Sequence, residues 1–599
     1  MLRVLRQDLL LALCFSSFGF CVGQSADNKA SATLPGAPPL KVTATAQSAV
    51  TPQNPGSGTS SSSSLTMRSD SAALLPNPVG EALSLYRKGS LSAAIEKYQL
   101  ILQDNPKSPE AYAGLTRIYL KQGNVSLAAE TVKKGLVTVT DPAGLHVALG
   151  EVYFRQGKIG EAEQEWVNII NSGHADARAH LGLARVRNAI SMYGKGKTSI
   201  DKAHELDPSD PDIERYWAET LRSRERIKYL EMYLNGPNND DAEKRAATQR
   251  YLDYLKARAN EPRRSCHLVS KITSTETPLV QLLTDPTHLR GYALTVRMND
   301  HKARLMLDTG ASGILIDRGL AEKAGVTRIS ETRISGIGDK GSKSGYVGLA
   351  SSIKIGELEF QDCPVEVLEN RSVVGEEGLI GADVFEDFLV DINFPKEKLQ
   401  LSELPRRPED KSAPASLRTD ADEGDLSGSS SHQANNSAAS TIEKPASAAN
   451  SRFHDAYIAP EMKSYTRIFR FGHELLMPTK IGDAPLKLFL LDTGSLGNEI
   501  TPAAAREITK VHGDSDTKVE GVSGAVKKVY SANKAIIQFS RVRQENLDML
   551  SIDLTSISEN TGTEVSGILG FAMLRFLDLK IDYRDGLVDC SYDPKFWGR

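Results

Sequence analysis

The chain has 599 residues, of which 40% are hydrophobic and 25% charged, and its formal net charge at pH 7 is −4. A chain of this length typically folds into roughly three or four domains. The small net charge gives no support for a nucleic-acid partner. The sequence has none of the spacings typical of a zinc site, a Walker phosphate loop or a Gly-x-Ser-x-Gly nucleophile. We therefore expect no metal ion and no cofactor.

The N-terminus has the order of a secretory signal peptide. Arg3 and Arg6 precede a short apolar run, 9–15, and small residues follow near 22–24. A charged region, an apolar core and a cleavage site in this order are typical of exported proteins. We predict a signal peptide at 1–24, a periplasmic or extracellular protein, and no membrane span after cleavage. An uncleaved anchor and a lipoprotein remain alternatives, although the apolar run is short for a bilayer.

Two segments have the composition of linkers. Residues 25–76 and 405–450 are rich in small and polar residues and poor in aromatics. Such segments cannot bury enough apolar surface to offset chain entropy, so we predict that both are disordered. The second linker can span roughly 35–40 Å root-mean-square, which allows the regions on either side of it to pack together.

The region 77–260 contains an internal repeat. Gly89, Gly123 and Gly157 recur every 34 residues, and an alanine follows each of them five positions later. This period is typical of helix–turn–helix units that stack into a solenoid. The pattern resembles tetratricopeptide repeats, and it predicts capping helices over 211–235 and 240–259.

The resemblance to tetratricopeptide repeats has two implications. Their aromatic residues fill the space between paired helices, which makes Tyr98, Tyr119, Tyr153 and Trp166 predicted core residues. The concave face of such a solenoid usually binds peptides or proteins, so a protein partner is expected there. A purely structural spacer is the alternative.

The tripeptide Asp-Thr-Gly occurs twice, each time at the end of an apolar run. The copies are 308–310 and 492–494, and each is followed some seventy residues later by two aliphatic residues and a glycine, at 379–381 and 568–570. An apolar strand can deliver each aspartate to a buried turn, where burial and a like charge shift its pKa. The threonine hydroxyl can tie the turn to a partner, and glycine allows a tight bend. Two such carboxyl groups can share one proton, as in aspartic peptidases.

These motifs, in the same order in both halves, resemble the retropepsin-like aspartyl protease family over about 285–402 and 465–590. The resemblance implies two small closed β lobes, at 264–404 and 451–599, each with one catalytic carboxylate. It makes Asp308 and Asp492 the catalytic residues. The supporting turn residues are Thr309, Gly310, Thr493, Gly494 and Ser495.

A glycine-punctuated hairpin lies between the two motifs of each lobe. The glycines are Gly336 and Gly338 in the first lobe and Gly521 and Gly524 in the second. Glycine permits the positive φ angles of tight hairpin turns. We predict that these hairpins are mobile flaps that close over substrate, with ordinary surface hairpins as the alternative.

Two smaller expectations concern Ser495 and the cysteines. Ser495 follows the second Asp-Thr-Gly, where the first has Ala311, and its hydroxyl is expected to bond to an ionised Asp492. Asp492 would then carry the negative charge and Asp308 the shared proton. A disulfide between Cys266 and Cys363 within the first lobe is possible.

The predicted fold is a helical solenoid followed by two retropepsin-like β lobes. The predicted function is that of an exported aspartic endopeptidase that hydrolyses peptide or protein substrates, with the repeats recruiting a substrate or partner. The alternative is a non-catalytic scaffold that keeps the protease fold. A dyad formed between two molecules is a further variant.

Overall fold

The computed structural model describes residues 77–592, except 222, 237–241, 260–265, 339–340, 371–372, 374, 409–453 and 515–516. The predicted signal peptide, the first linker and most of the second linker lie outside the described residues. Within the described part, no helix has the length and apolar character needed to cross a membrane.

The N-terminal part of the described chain is helical. Its helices are α1 (Pro78–Arg87), α2 (Leu91–Asp104), α3 (Pro109–Lys121), α4 (Val125–Thr138), α5 (Ala143–Arg155), α6 (Ile159–Asn171), α7 (Ala177–Ala189), α8 (Tyr193–Leu206), α9 (Pro211–Ala218), α10 (Ser223–Asn235) and α11 (Ala242–Ala259). Polar side chains begin several of them by accepting hydrogen bonds from backbone N–H groups of the first turn. These capping residues are Asn77, Ser108, Asn124, Asp176 and Asp210.

The predicted single helix over 211–235 is wrong, because the chain breaks between α9 and α10. The N–H of Thr220 donates to Trp217 O and the N–H of Leu221 donates to Ala218 O. These tighter three-residue bonds replace the helical ladder and end α9.

The glycines of the repeat lie where the two helices of a unit meet. Gly89, Gly123 and Gly157 have φ angles of 74°, 73° and 73°. This left-handed conformation reverses the chain after the first helix, and a residue with a side chain adopts it only with strain. The 34-residue spacing therefore predicts the turns correctly.

The predicted core aromatics fill the space between helices to different degrees. Tyr98 and Trp166 are buried, whereas Tyr119 and Tyr153 are half-buried. Trp166 packs so closely on the next repeat that a Cβ atom on Gly182 would lie 2.3 Å from its ring. A small residue at that position is required by this contact.

A polar network joins the first and ninth helices of the series. Tyr86 of α1 donates to Asp212 of α9 at 3.2 Å, and Arg178 of α7 donates to Asp212 at 3.1 Å and to Asp210 at 2.7 Å. Lys121 of α3 lies 3.1 Å from Asp212. Because the first and ninth helices meet here, the solenoid curves around these side chains. The network therefore occupies part of its concave face.

The first β lobe follows the helices. Its elements are β1 (His267–Leu268), β2 (Thr275–Pro278), β3 (Val280–Asp285), β4 (His288–Met298), β5 (His301–Asp308), β6 (Ile314–Asp317), α12 (Arg318–Lys323), β7 (Thr327–Ile334), β8 (Lys343–Ile355), β9 (Leu358–Leu368), β10 (Gly378–Gly381), β11 (Phe388–Asn393) and β12 (Lys398–Glu403). The main sheet runs β1-β9-β6-β10-β5-β4-β8-β7, with β3 on β4. β8 also pairs with β9, so the sheet folds back on itself.

The second lobe repeats this plan. Its elements are β13 (Thr466–Arg467), β14 (Phe469–Phe471), β15 (Glu474–Ile481), β16 (Lys487–Asp492), β17 (Glu499–Ile500), α13 (Pro502–Arg506), β18 (Val511–Gly513), β19 (Glu520–Gly521), β20 (Gly524–Ala525), β21 (Val529–Phe539), β22 (Val542–Ile552), α14 (Thr555–Thr561), β23 (Gly567–Gly570), α15 (Phe571–Leu574), β24 (Asp578–Asp582) and β25 (Leu587–Ser591). The main sheet runs β14-β15-β16-β23-β17-β22-β21-β18, and β15 also pairs with β21.

The two lobes share a third sheet. Among the described strands, its order is β13-β25-β24-β11-β12-β2, with three strands from each lobe. The central pair, β11 and β24, runs antiparallel with Ile392 opposite Leu579. Both side chains are fully buried in an apolar core that extends through both lobes. The lobes are thus joined by backbone hydrogen bonds as well as by packing.

The solenoid packs on the second lobe. One apolar cluster contains residues of α5, α6 and α7 together with residues of β15, β16 and β23. At its edge the rings of Phe154 and Phe471 are 6.1 Å apart. The Thr563 hydroxyl donates to Phe154 O at 2.6 Å, and the Glu564 N–H donates to Arg155 O at 3.1 Å. The repeats therefore cover an apolar face of this lobe.

The disulfide considered from the sequence is present. Cys266 and Cys363 are bonded, with their Cα atoms 4.1 Å apart. The bond ties the segment before β1 to β9 of the first lobe.

Candidate active site

The two Asp-Thr-Gly turns lie in the same relation to their lobes. β5 ends at Asp308 and β16 ends at Asp492. In each lobe the aspartate lies beside the glycine of the later motif, since Asp308 pairs with Gly381 and Asp492 with Gly570 on parallel strands. Both aspartates are only 3% exposed. The later aliphatic-aliphatic-glycine segment is therefore a buried strand beside the turn.

Each aspartate also faces the turn of the other lobe. A Cβ atom on Gly310 would lie 2.7 Å from the carboxyl carbon of Asp492, and one on Gly494 would lie 2.6 Å from that of Asp308. Only glycine leaves room for this approach. One chain thus brings both carboxyl groups into a single site, which makes a dyad between two molecules unnecessary.

The threonines hold the two turns together. The Thr309 N–H donates to the Thr493 hydroxyl, and the Thr493 N–H donates to the Thr309 hydroxyl, both at 3.0 Å. The Thr309 hydroxyl donates to Leu491 O at 2.8 Å, and the Thr493 hydroxyl donates to Leu307 O at 3.1 Å. All four bonds are buried and cross between the lobes. Thr309 and Thr493 therefore fix the separation of the aspartates.

The protonation of the pair follows from its burial. Burial first, and the charge of Asp492 second, raise the pKa of Asp308 to about 8. Asp308 Oδ1 accepts the N–H of Gly310 at 2.8 Å. Asp492 Oδ1 accepts the N–H of Gly494 at 2.8 Å and that of Ser495 at 3.1 Å. Asp492 thus has one more of these donors, which favours a negative charge on Asp492 and the shared proton on Asp308.

The predicted bond from the Ser495 hydroxyl to Asp492 is wrong. That hydroxyl donates to Glu499 Oε1 at 2.9 Å and approaches Gly497 O at 3.2 Å. Asp492 instead receives the backbone N–H of Ser495. The physical reason is the buried carboxyl group of Glu499, which accepts the hydrogen bond from the hydroxyl. The Asp-Thr-Gly motif gives no indication of this residue.

Glu499 is a site residue that the sequence interpretation missed. It is 0% exposed, and burial raises its pKa to about 8. Its Oε2 atom has no hydrogen-bond partner within the described part of the chain. An alignment of the two lobes could have revealed Glu499, because Leu315 lies as far beyond Asp308 as Glu499 lies beyond Asp492. A charged residue thus stands where the first lobe has an apolar one.

The two turns are braced by different side chains. In the first lobe, Asp383 accepts the Ser312 hydroxyl at 3.1 Å and the Gly313 N–H at 2.9 Å. In the second, Asn498 Oδ1 accepts the Gly570 N–H at 2.9 Å. Neither Asp383 nor Asn498 belongs to the Asp-Thr-Gly motif, and pattern matching did not single them out.

The hairpins of the two lobes meet at their tips. The Gly336 N–H donates to the Ser523 hydroxyl and the Ser523 N–H donates to Ile337 O, both at 3.0 Å. A Cβ atom on Gly338 would lie 2.3 Å from Gly524 O, and the φ of Gly338 is +132°. Gly336, Gly338 and Gly524 therefore lie where the tips touch, together with Ser523, which the sequence interpretation missed.

Gly521 ends β19, and Gly524 begins β20 on the other side of the turn.

Across the described ranges, no group of three or more His, Cys, Asp or Glu residues is placed to hold a metal ion. The site is built from carboxyl groups, hydroxyl groups and backbone N–H groups.

Comparison with known proteins agrees with this geometry. Residues 294–384 match the family described as aspartyl protease, and residues 85–143 match a family of tetratricopeptide repeats. The chain carries an aspartyl protease lobe and tetratricopeptide repeats. The resemblances and the fold class predicted from the sequence are therefore confirmed. The aspartyl protease match ends before the second lobe, whose place in the site rests on its own geometry.

Individual relatives are similar over short stretches. DNA damage-inducible protein 1 of Chaetomium globosum is 32% identical over 108 residues, covering 18% of this chain and 23% of the relative. UBA domain-containing protein Mud1 of Schizosaccharomyces pombe is 29% identical over 110 residues, covering 18% and 32%. The chain thus spans about a quarter to a third of the length of these relatives. A retropepsin-like aspartic protease from Rickettsia conorii is 18% identical, with a TM-score of 0.17, over 24% of this chain and 97% of that structure.

The raised pKa of Asp308 predicts a specific pH dependence of stability. The folded pKa is about 8, whereas an unperturbed aspartate has about 3.9. Between these values the folded chain holds a proton that the unfolded chain has released, so the contribution of Asp308 is fully present below about pH 4 and is lost as the pH rises through about 8. Asp308→Asn removes this dependence. The melting temperature of the variant relative to wild type should therefore rise from about pH 4.5 to about pH 8.

The measurement is thermal unfolding of both chains across this pH range. Asp483→Asn is the control, since Asp483 is an exposed aspartate in the turn after β15. A difference between Asp308→Asn and wild type that stays constant with pH would contradict the assignment of the proton.

Proposed function

We propose that this protein is an exported aspartic endopeptidase whose catalytic dyad is Asp308 and Asp492. The observation that carries the proposal is the mutual approach of the two Asp-Thr-Gly turns, each glycine lying against the other lobe's carboxyl group. The buried hydrogen bonds between the two threonines hold that arrangement. Two close, buried carboxyl groups with one proton between them are the arrangement that general acid–base hydrolysis of a peptide bond needs.

In the proposed reaction, the carboxylate of Asp492 accepts a proton from a water molecule as the water oxygen bonds to the peptide carbonyl carbon. The protonated Asp308 donates its proton to the carbonyl oxygen. The tetrahedral intermediate then collapses as one of its hydroxyl groups returns a proton to Asp308, the carbon–nitrogen bond breaks, and the leaving nitrogen takes a proton from Asp492. No covalent bond to the protein forms. The hairpin tips, which bond to each other here, must part to admit a peptide.

The central test replaces each aspartate separately. Asp308→Asn and Asp492→Asn should each abolish cleavage of a denatured protein substrate, because a single carboxyl group cannot act as both acid and base. The assay is product analysis by mass spectrometry, with circular dichroism as the check on folding. Asp483→Asn serves as the matched control and should cleave like wild type.

Normal cleavage by a folded Asp492→Asn variant would overturn the two-lobe site. Complete absence of cleavage by the wild type on diverse substrates would instead favour the non-catalytic scaffold.

Recruitment of a protein through the repeats is a second part of the proposal. Lys121 lies on the concave face, its side chain is 33% exposed, and its ammonium lies 4.6 Å from the centre of the Tyr86 ring. A partner on this face would contact it. Lys121→Ala should therefore reduce cleavage of a protein substrate about tenfold, a loss of the size expected for one interface contact.

Cleavage of short peptides should be unchanged in Lys121→Ala, because they reach the dyad without the repeats. Lys107→Ala, in the exposed turn after α2, is the control. Equal losses on protein and peptide substrates would contradict recruitment and point to a structural role.

Export is supported by two features. The N-terminal sequence has a signal-peptide pattern, and the Cys266–Cys363 disulfide is typical of oxidising compartments. We expect the mature protein to begin near residue 25 and to be found outside the cytoplasm. N-terminal analysis of the protein from fractionated cells checks this, and an intact Met1 on cytoplasmic protein would refute it.

A further inference from the structure

Leu315 and Glu499 hold the same place in the two lobes. Leu315 of β6 pairs with Leu379 of β10, and Glu499 of β17 pairs with Ile568 of β23. Leu379 and Ile568 occupy matching positions in the strands beside the catalytic turns. The lobes therefore place a leucine and a glutamate at equivalent points next to the dyad.

In the first lobe this place faces the hairpin tip of the other lobe. Ile314 and Ile316 lie in the large core, whereas Leu315 lies in a separate cluster that includes Ala311, from the catalytic turn, and Val522, from the tip of the second hairpin. Alternate residues of a strand point to opposite faces of the sheet. The Leu315 side chain is thus on the cleft side.

The second lobe has the same alternation. Ile500 lies in the large core, so the neighbouring Glu499 faces the other way. On that other side, Ile568 lies in one cluster with Ile337, from the tip of the first hairpin. The same cluster also contains residues of α5, α6 and α7. The equivalence of Glu499 with Leu315, which lies in one cluster with the tip of the opposite hairpin, assigns Glu499 to the cleft side of the second lobe.

Only one of the two carboxyl oxygens of Glu499 has a hydrogen-bond partner among the described residues. Oε1 accepts the Ser495 hydroxyl at 2.9 Å, while Oε2 is buried and has no partner within the described residues. A buried polar atom without a hydrogen bond is costly, and a ligand that supplies the bond recovers that cost. A purely positioning role towards Ser495 would need one oxygen, and the second is left for another group.

We propose, resting on the proposed function, that Glu499 determines specificity by bonding through Oε2 to a hydrogen-bond donor on a substrate side chain. The subsite of the second lobe then prefers lysine or arginine, and after them glutamine or asparagine. The equivalent subsite of the first lobe, with Leu315, takes apolar side chains. The peptidase is thus asymmetric, with a donor-bearing residue preferred at one position on one side of the cleaved bond.

The first lobe provides a matched control. Leu315 lies beside Glu366 of β9, whereas Glu499 lies beside Leu550 of β22. The first lobe thus has leucine on the strand nearer the turn and glutamate on the next strand, and the second lobe has the reverse arrangement. Glu366 is half-buried and one strand farther from the catalytic turn. Glu366→Leu therefore removes a carboxyl group from the first lobe without touching Glu499 or the subsite of the second lobe.

The experiment is cleavage profiling of a peptide library by the full chain. Peptides cleaved by the wild type should be enriched in residues with a hydrogen-bond donor at a single position on one side of the cleaved bond. Glu499→Leu should lose this preference by at least about tenfold in kcat/KM, because apolar side chains then fit better and the unpaired carboxyl is gone. Glu499→Gln should keep glutamine and asparagine but lose lysine and arginine. Glu366→Leu should keep the wild-type profile.

Ser495→Ala separates specificity from positioning. It should change the rate for all peptides alike and keep the preference. The inference is overturned if Glu499→Leu has the wild-type profile, or if it slows every peptide equally.

Binding distinguishes failure of this inference from failure of the proposed function. If wild type cleaves no peptide, the proposed function fails, and binding of lysine and leucine peptides to Asp308→Asn then decides the inference. Tighter binding of the lysine peptide that disappears in Asp308→Asn/Glu499→Leu supports the subsite. Equal binding of the two peptides overturns it.

Discussion

The contact between the two Asp-Thr-Gly turns depends on four buried hydrogen bonds of Thr309 and Thr493. Each threonine gives its N–H and its hydroxyl to the other lobe and accepts one bond in return. Such bonds form only when the lobes are fully docked, so the separation of Asp308 and Asp492 is coupled to the docking of the lobes. The shared six-stranded sheet acts in the same direction, because β11 and β24 pair across the same boundary. Carboxyl groups that repel each other are thereby kept close.

The two lobes share a plan but have diverged in the side chains that support it. The turn of the first lobe is braced by Asp383, which accepts bonds from its loop, and that of the second by Asn498. Asp492 accepts an N–H from Ser495 that supplements the one from Gly494. A symmetric dimer cannot distinguish its two aspartates. Here the surroundings differ, so one aspartate can hold the proton and the other the charge.

Sequence patterns predicted the features that rest on local constraints. The 34-residue repeat revealed its turns because glycine there adopts a φ near 73°, and the doubled Asp-Thr-Gly revealed both aspartates. Features that depend on side-chain direction were missed. The Ser495 hydroxyl turns to Glu499 instead of Asp492, and Ser523 bridges the hairpins. Neither bond follows from spacing. Ser495 and Glu499 are close in the chain, but the direction of the hydroxyl depends on the buried carboxyl group, and Ser523 reaches Gly336 only where the two hairpins meet.

The packing of the solenoid on the second lobe changes how the domain order should be understood. In the first lobe, the cluster around Leu315 is completed by residues of the same lobe and by Val522 from the second hairpin. In the second lobe, the equivalent cluster continues into α5, α6 and α7, including Phe154 and Trp166. The repeats thus supply apolar partners that the lobe lacks. Ile337, from the tip of the first hairpin, belongs to that same cluster, so one apolar core connects the repeats with this hairpin. The repeats are therefore part of the physical surroundings of the active site, whether or not they also bind a partner.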